Sequence, residues 1–127
     1  LNPDAVFDYL LTPRALRAHF AAQTAPLCFV GHTHIPEIWT EGREEPVPWP
    51  KSGIYTLEPG RKTVINVGSV GLPRGGDKRA TWATYDPAKG EVTLRRTDYD
   101  VQDVIRTIKH LRHDPIIEAK LLRDLGA

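Results

Sequence analysis

Four apolar residues, Leu27-Cys28-Phe29-Val30, stop at Gly31, and two histidines follow with one residue between them, His32-Thr33-His34. A run so short, continuous and bounded by Pro26 and Gly31 predicts a strand buried on both faces. In α/β proteins, ligands bind beyond the carboxyl ends of such strands. If the backbone stayed extended, the two imidazoles would share a face, roughly 6.6 Å apart. A bend after the strand would instead aim them at two metal ions about 3.5–4 Å apart. A neutral ring nitrogen reaches such an ion at about 2 Å, and Gly31 lets the chain turn without a Cβ clash. Without that context, H-x-H is simply two strand-end histidines, exposed or bonded to backbone.

A second strand and loop has the same form. Thr63 to Val67 (TVINV) is β-branched and runs into Gly68-Ser69-Val70-Gly71-Leu72-Pro73-Arg74. Backbone amides of a glycine-rich loop can face an anion, and Arg74 can grip a phosphate with two parallel hydrogen bonds. The plainer alternative is a loop that needs its glycines to turn, carrying a solvated arginine.

The rest of the chain supplies a frame. Thr12-Pro13 is an N-cap and a first-turn proline, and Leu16 and Phe20 continue a helix to about Gln23. Residues 2–11 read as a loop or short helical turn. Ile35 to Thr40 predicts a second strand, residues 41–52 a proline-rich surface loop, and 54–57 a brief strand. Ala80–Tyr85 and Glu91–Thr97 flank Asp86-Pro87-Ala88-Lys89-Gly90 and form a hairpin. Asp100 caps a helix through Val101, Val104, Ile105, Ile108 and Leu111. Asp114-Pro115 opens a last one, with Ile117, Leu121 and Leu125 on one stripe and Gly126 as the stop.

At 127 residues the chain suits one domain or part of one. Seventeen Lys and Arg against sixteen Asp and Glu leave a net charge of +1, which argues against a nucleic-acid coat or an acidic tail. No apolar run approaches the roughly 18 residues of a membrane span, and the first residues lack the marks of a signal peptide. The single cysteine, Cys28, reads as a buried thiol of a reducing compartment, so the expected location is cytoplasmic. There is no methionine, even at position 1, which suggests a fragment.

Other chemically interesting residues have simpler readings. His19 sits on the first helix without a spaced partner, as a surface or helix-face residue. His110 and His113 suit the negative end of a helix. Asp98, Asp100 and Asp103 belong to a helix N-terminus. Trp39, Trp49 and Trp82 form no stacking platform, and Trp82 is expected to be packed. Ser69 has no nearby histidine to make it a nucleophile.

GHTHIP at 31–36, NVGSVGLPR at 66–74, GGDKRATWATYD at 75–86 and the helix from Asp100 occur in this order. The ordered set resembles the calcineurin-like metallophosphoesterases, near the small bacterial phosphodiesterases of the diadenosine-tetraphosphatase type. FDYLLTPRAL at 7–16 also looks like the stretch before the GHTH strand in that branch, so the resemblance covers nearly the whole chain. It implies an α/β fold, a two-sheet sandwich flanked by helices, of which residues 1–127 would be the C-terminal half and supply mainly one sheet.

The resemblance further implies that His32 binds one metal and His34 the other, with Mn, Fe, Zn or Ni as the two divalent ions. Arg74 would contact substrate, a phosphate mono- or diester. The family's other ligands come from an upstream half: a D-x-H, a GD-x-x-D, a GNH and a further histidine. None is present; Gly76-Asp77 fails as GD-x-x-D because position 80 is Ala. Two metals would hold the phosphoryl oxygens and activate water, and an upstream histidine would protonate the leaving group. The expected partner is therefore the missing N-terminal half. The rivals are an inactive truncated module that acts in binding, and a phosphate-binding domain with one metal or none.

Overall fold

The computed structural model describes residues 13–74, 76–111 and 114–127. The turn expected within 2–11, and His113, lie outside them. The elements run α1 (Pro13–Ala22), β1 (Leu27–Val30), β2 (Pro36–Thr40), β3 (Ile54–Thr56), β4 (Thr63–Val67), β5 (Ala80–Asp86), β6 (Glu91–Thr97), α2 (Val101–His110) and α3 (Pro115–Leu125). Pro26 and Gly31 bound β1, and the glycines after β4 end that strand. Asp100 caps α2 by accepting from the Asp103 amide at 2.9 Å, and Asp114 caps α3 through the Ile116 and Ile117 amides. Gly126 closes α3 in the left-handed conformation, φ 82°.

The strands form two three-stranded sheets, β1-β4-β2 and β3-β6-β5. In the first, β1 lies parallel to β4, with Leu27 opposite Thr63 and Val30 opposite Asn66. β2 runs antiparallel along the other side of β4. The second sheet is antiparallel throughout. Between them Ile38 and Ile65 meet Tyr55 and Val92, with Leu27, Val47, Trp49 and Leu57 packed around. On the opposite face of the first sheet, Leu16 and Phe20 of α1 cover Val64, joined by Cys28, Val30 and Trp39. α2 and α3 pack together through Ile105, Ile108 and Leu125, and this cluster reaches Leu72 in the loop after β4.

Several expectations need correction. The chain contributes strands to two sheets rather than mainly to one. The strand buried on both faces is β4, not β1: Thr63 to Asn66 are all buried, whereas Phe29 is 45% exposed. The reason is position. β4 has a strand on each side and a layer on each face; β1 is an edge, and α1 covers only one face of it. Cys28 is accordingly half-buried. Val47 of the proline-rich loop bridges Ile38, and Val47 and Trp49 pack on the core.

Trp82 faces out from an edge strand and is 43% exposed. Its Nε1 donates to Thr97 Oγ1 at 3.0 Å, and the Arg95 guanidinium lies 5.6 Å from its ring. His19, by contrast, is only 5% exposed. It falls on the stripe of Leu16, Phe20 and Gln23 that α1 turns toward the sheet, so helical position overrides its polarity.

Candidate functional site

Parallel pairing puts the carboxyl ends of β1 and β4 side by side, so the loops that leave them meet. Asn66, the next-to-last residue of β4, ties them together. Its Nδ2 donates to the Gly31 carbonyl and to Thr33 Oγ1, both at 2.9 Å. Its Oδ1 accepts from the Gly68 amide at 2.9 Å. The side chain is 4% exposed, so these bonds form away from water. Thr33, also buried, accepts from the Ile35 amide at 3.3 Å.

This anchoring holds the histidine loop in a costly shape. His32 and His34 both have positive φ, 84° and 66°. Non-glycine residues adopt that region rarely, and such strain concentrates where a surrounding network enforces it. The backbone therefore bends after β1 rather than staying extended. His32 is exposed; His34 is half-buried. His34 Nδ1 lies 2.9 Å from the carbonyl of Leu72. A carbonyl only accepts, so Nδ1 carries the proton and Nε2 keeps its lone pair for a ligand.

Gly68 is obligatory in the second loop. Its φ is +86°, and a Cβ there would collide with Thr81 Oγ1 and come within 2.9 Å of Pro36 Cγ. Thr81 Oγ1 instead accepts from the Ser69 amide at 2.8 Å and donates to the Ser69 carbonyl at 3.1 Å. Ser69 Oγ accepts from the Leu72 amide at 3.0 Å, which shapes the turn that offers the Leu72 carbonyl to His34.

Arg74 lies beside the histidine loop. Its amide donates to the His34 carbonyl at 3.2 Å, its Nη1 reaches the Thr33 carbonyl at 3.4 Å, and its Nε pairs with Asp124 at 2.9 Å. It is thus an oriented arginine, not a freely solvated one. A cavity of about 180 Å³ is lined by His34, Arg74, Asp77, Thr81 and Arg96 among others. His32 is not among its lining residues. Asp77 accepts from Arg79 through both oxygens, at 3.0 and 2.7 Å, which holds its carboxyl down at about 2.

The donor chemistry fits a metal in part. Two imidazoles follow β1, and one of them has its free nitrogen defined by a backbone bond. Among the described residues, no three His, Cys, Asp or Glu side chains converge as a complete ligand set. His19 and His110 lie elsewhere, on α1 and at the end of α2. The motifs alone assign no role to Asn66, Thr33, Asp124 or Arg96. The usable signal for Asn66 was an amide in an otherwise apolar, β-branched strand: a buried polar side chain must be there to bond something.

No family model matches the chain. An uncharacterized protein of Methanocaldococcus jannaschii is 35% identical over 82 residues, which are 65% of this chain and 32% of that protein. The crystal structure of a metallophosphoesterase from Sphaerobacter thermophilus aligns with a TM-score of 0.79 and 30% sequence identity, over 95% of this chain and 50% of that one. The chain spans about a third of the length of the first and half of the second. The two packed sheets, the helices on them and this alignment identify the architecture as the α/β fold of a metallophosphoesterase.

Proposed function

We propose that this chain supplies one wall of a metal-dependent phosphoester hydrolase site. His32 and His34 would each hold one of two divalent ions (Mn, Fe, Zn or Ni), and Arg74 would contact the phosphate of a mono- or diester. The observation that carries the reading is His34: a strained strand-end residue whose Nδ1 is committed to Leu72, leaving Nε2 as a directed donor. Nitrogen and oxygen ligands together accept all four metals, so the ligands alone do not choose among them. The remaining ligands, carboxylates above all, would come from outside the described residues, in an N-terminal half that packs beside β1. When bound, the metals draw charge from the phosphoryl oxygens and acidify water. This chain's part is to orient: Asn66 fixes the loop, Leu72 the imidazole tautomer, and Asp124 the plane of Arg74.

The test is turnover of bis-p-nitrophenyl phosphate by the protein expressed from its complete reading frame, with added Mn. His32→Ala and His34→Ala should each lower kcat/KM at least about a hundredfold, or roughly 2.7 kcal/mol. Arg74→Ala should raise KM or lower kcat. The 127-residue chain alone should be inactive with or without Mn. Wild-type rates in His34→Ala, or full activity in excess chelator, would overturn the hydrolase reading. Metal-dependent turnover by the chain alone, lost in His32→Ala, would overturn the shared site. The rival reading is an inactive binding module; a complete protein that neither binds metal nor hydrolyses the ester would favour it.

A further inference from the structure

Asp124 stands where a carboxylate is unwelcome. It lies in the last turn of α3, and the negative end of a helix dipole repels an acidic side chain there. What it touches accounts for the position. Asp124 Oδ2 accepts from Arg74 Nε at 2.9 Å, joining segments 50 residues apart. Lys78 Nζ donates to the Asp124 backbone carbonyl at 2.6 Å, and Arg123 Nε lies 3.9 Å from Oδ1. Three cations therefore gather at this one residue, whose side chain is 15% exposed. The next residue, Leu125, is buried with Ile105 and Ile108 in the cluster that reaches Leu72. The end of α3 is thus docked on the loop that carries Arg74, by apolar contact and by the Asp124 carboxylate together.

Arg74 is held at two points, with Nε on Asp124 and Nη1 reaching the Thr33 carbonyl. Two bonds to one planar group restrain a side chain that is otherwise long and mobile. The same guanidinium lines the cavity that His34 lines. An arginine already ordered loses less freedom when it takes up an anion than one that is free to swing. The charge of Asp124 by itself opposes an anion, but Lys78 and Arg123 offset it, so the ordering effect prevails.

We propose that Asp124 is a positioning residue for Arg74, and that it couples the docking of α3 to the binding of phosphate beside the histidine loop. The proposal rests on the hydrolase reading above and adds regulation to it: the last helix sets the affinity of the site. Such coupling is reciprocal, so bound phosphate also holds α3 in place.

The experiment uses the protein from its complete reading frame, loaded with Mn. Inorganic phosphate is titrated by calorimetry, and bis-p-nitrophenyl phosphate is the substrate. Asp124→Asn keeps the shape of the side chain and removes its charge. It should weaken phosphate about fivefold, the scale of ordering one arginine side chain, and raise KM by a similar factor while kcat holds. Arg74→Gln should weaken phosphate at least as much. Adding Asp124→Asn to it should change nothing further, because two residues that act through one contact are not additive. Lys120→Gln, exposed on α3, should have no effect. A urea unfolding curve for each variant establishes that it is folded. Should Asp124→Asn not fold, hydrogen exchange in the wild-type protein gives the answer: saturating phosphate should slow the Leu122 and Leu125 amides more than those of β6. Unchanged or tighter phosphate binding in a folded Asp124→Asn, additive losses in the double variant, a loss confined to kcat, or α3 exchange indifferent to phosphate would each overturn the proposal. So would a wild-type protein that binds no phosphate. An active enzyme in which Asp124→Asn binds phosphate normally loses only the coupling; the full binding pattern in a protein that never hydrolyses an ester loses only the hydrolase reading.

Discussion

The imidazole of His34 donates its Nδ1 proton to the carbonyl of Leu72, 2.9 Å away, so a loop leaving β4 sets the tautomer of a ring leaving β1. Neutral imidazoles in water favour the proton on the other nitrogen. Nitrogen-15 NMR at pH 8 should therefore show His34 with a protonated Nδ1 and a bare Nε2. A reversed pattern would mean that the Leu72 bond does not form in solution.

Asn66 makes three hydrogen bonds in a site it barely shares with water. Asn66→Ala strands a carbonyl, a hydroxyl and an amide together, and should cost about 3 kcal/mol or more in urea unfolding, at 1–3 kcal/mol for each buried group left unsatisfied. Asn66→Asp keeps the bond from Gly68 but loses both donations, and should also be destabilised. A change below about 0.5 kcal/mol in the alanine variant would show that the two loops are held by something else.

Gly68 and Gly60 share a left-handed backbone, φ +86° and +77°, but not their surroundings. A Cβ at Gly60 meets nothing within 4 Å, whereas one at Gly68 meets Thr81 and Pro36. Gly60→Ala should cost about 1 kcal/mol, from backbone strain alone. Gly68→Ala should cost about 1–3 kcal/mol more, the usual cost of overpacking, and should disturb the Thr81–Ser69 bonds. Equal losses in parallel denaturation curves would contradict the close approach.

His19 is buried, and among the described residues neither of its ring nitrogens makes a hydrogen bond of good geometry; Gln23 Oε1 and Thr63 Oγ1 are likewise unsatisfied. Burial favours the neutral ring and lowers its pKa below the ordinary 6.5. The sign follows. Above pH 6.5 both folded and unfolded chains hold His19 neutral. As pH falls below 6.5 the unfolded chain takes a proton that the folded chain refuses, so stability drops until the lowered folded pKa is reached. His19→Leu should remove this acid-side loss and raise stability at pH 7 by about 1 kcal/mol. An unchanged pH profile in the leucine variant would place the titration elsewhere.

Local elements were the legible part of this sequence. Thr63–Val67 and Glu91–Thr97 follow directly from β-branched runs between turn residues, and Asp100 and Asp114 announce their helices. Burial was harder because it depends on neighbours that a sequence does not name. Leu27–Val30 looks as apolar as β4, yet one lies at an edge and the other in the middle. The burial of His19 follows from its spacing to Leu16, Phe20 and Gln23, which outweighs the polarity of the ring. In the site, the H-x-H loop and Arg74 were visible as motifs. The bonds that orient them, from Asn66, Leu72 and Asp124, arise between segments far apart in the chain.

Phe29 lies on β1, which pairs only with β4 among the described residues and leaves its other edge open. An open, apolar edge is a template for another strand. The isolated chain should therefore be weakly folded or associate as its concentration rises in sedimentation velocity, and Phe29→Lys should reduce that association. A monomer with one cooperative transition and about 5 kcal/mol of stability or more, typical of complete domains, would contradict this.

The pairing of Leu27 with Thr63 has a consequence for the order of assembly. The β5–β6 hairpin closes a short turn, and α2 needs only local bonds, so both can form early. β1 can meet β4 only after β2, β3 and the loops between them have been brought round, which costs more chain entropy before any contact rewards it. The histidine loop sits at that last junction. Conditions that slow folding should thus trap a species with its hairpin complete and the Asn66 bonds unformed, in which amide hydrogens of β6 are protected from exchange well before those of β4.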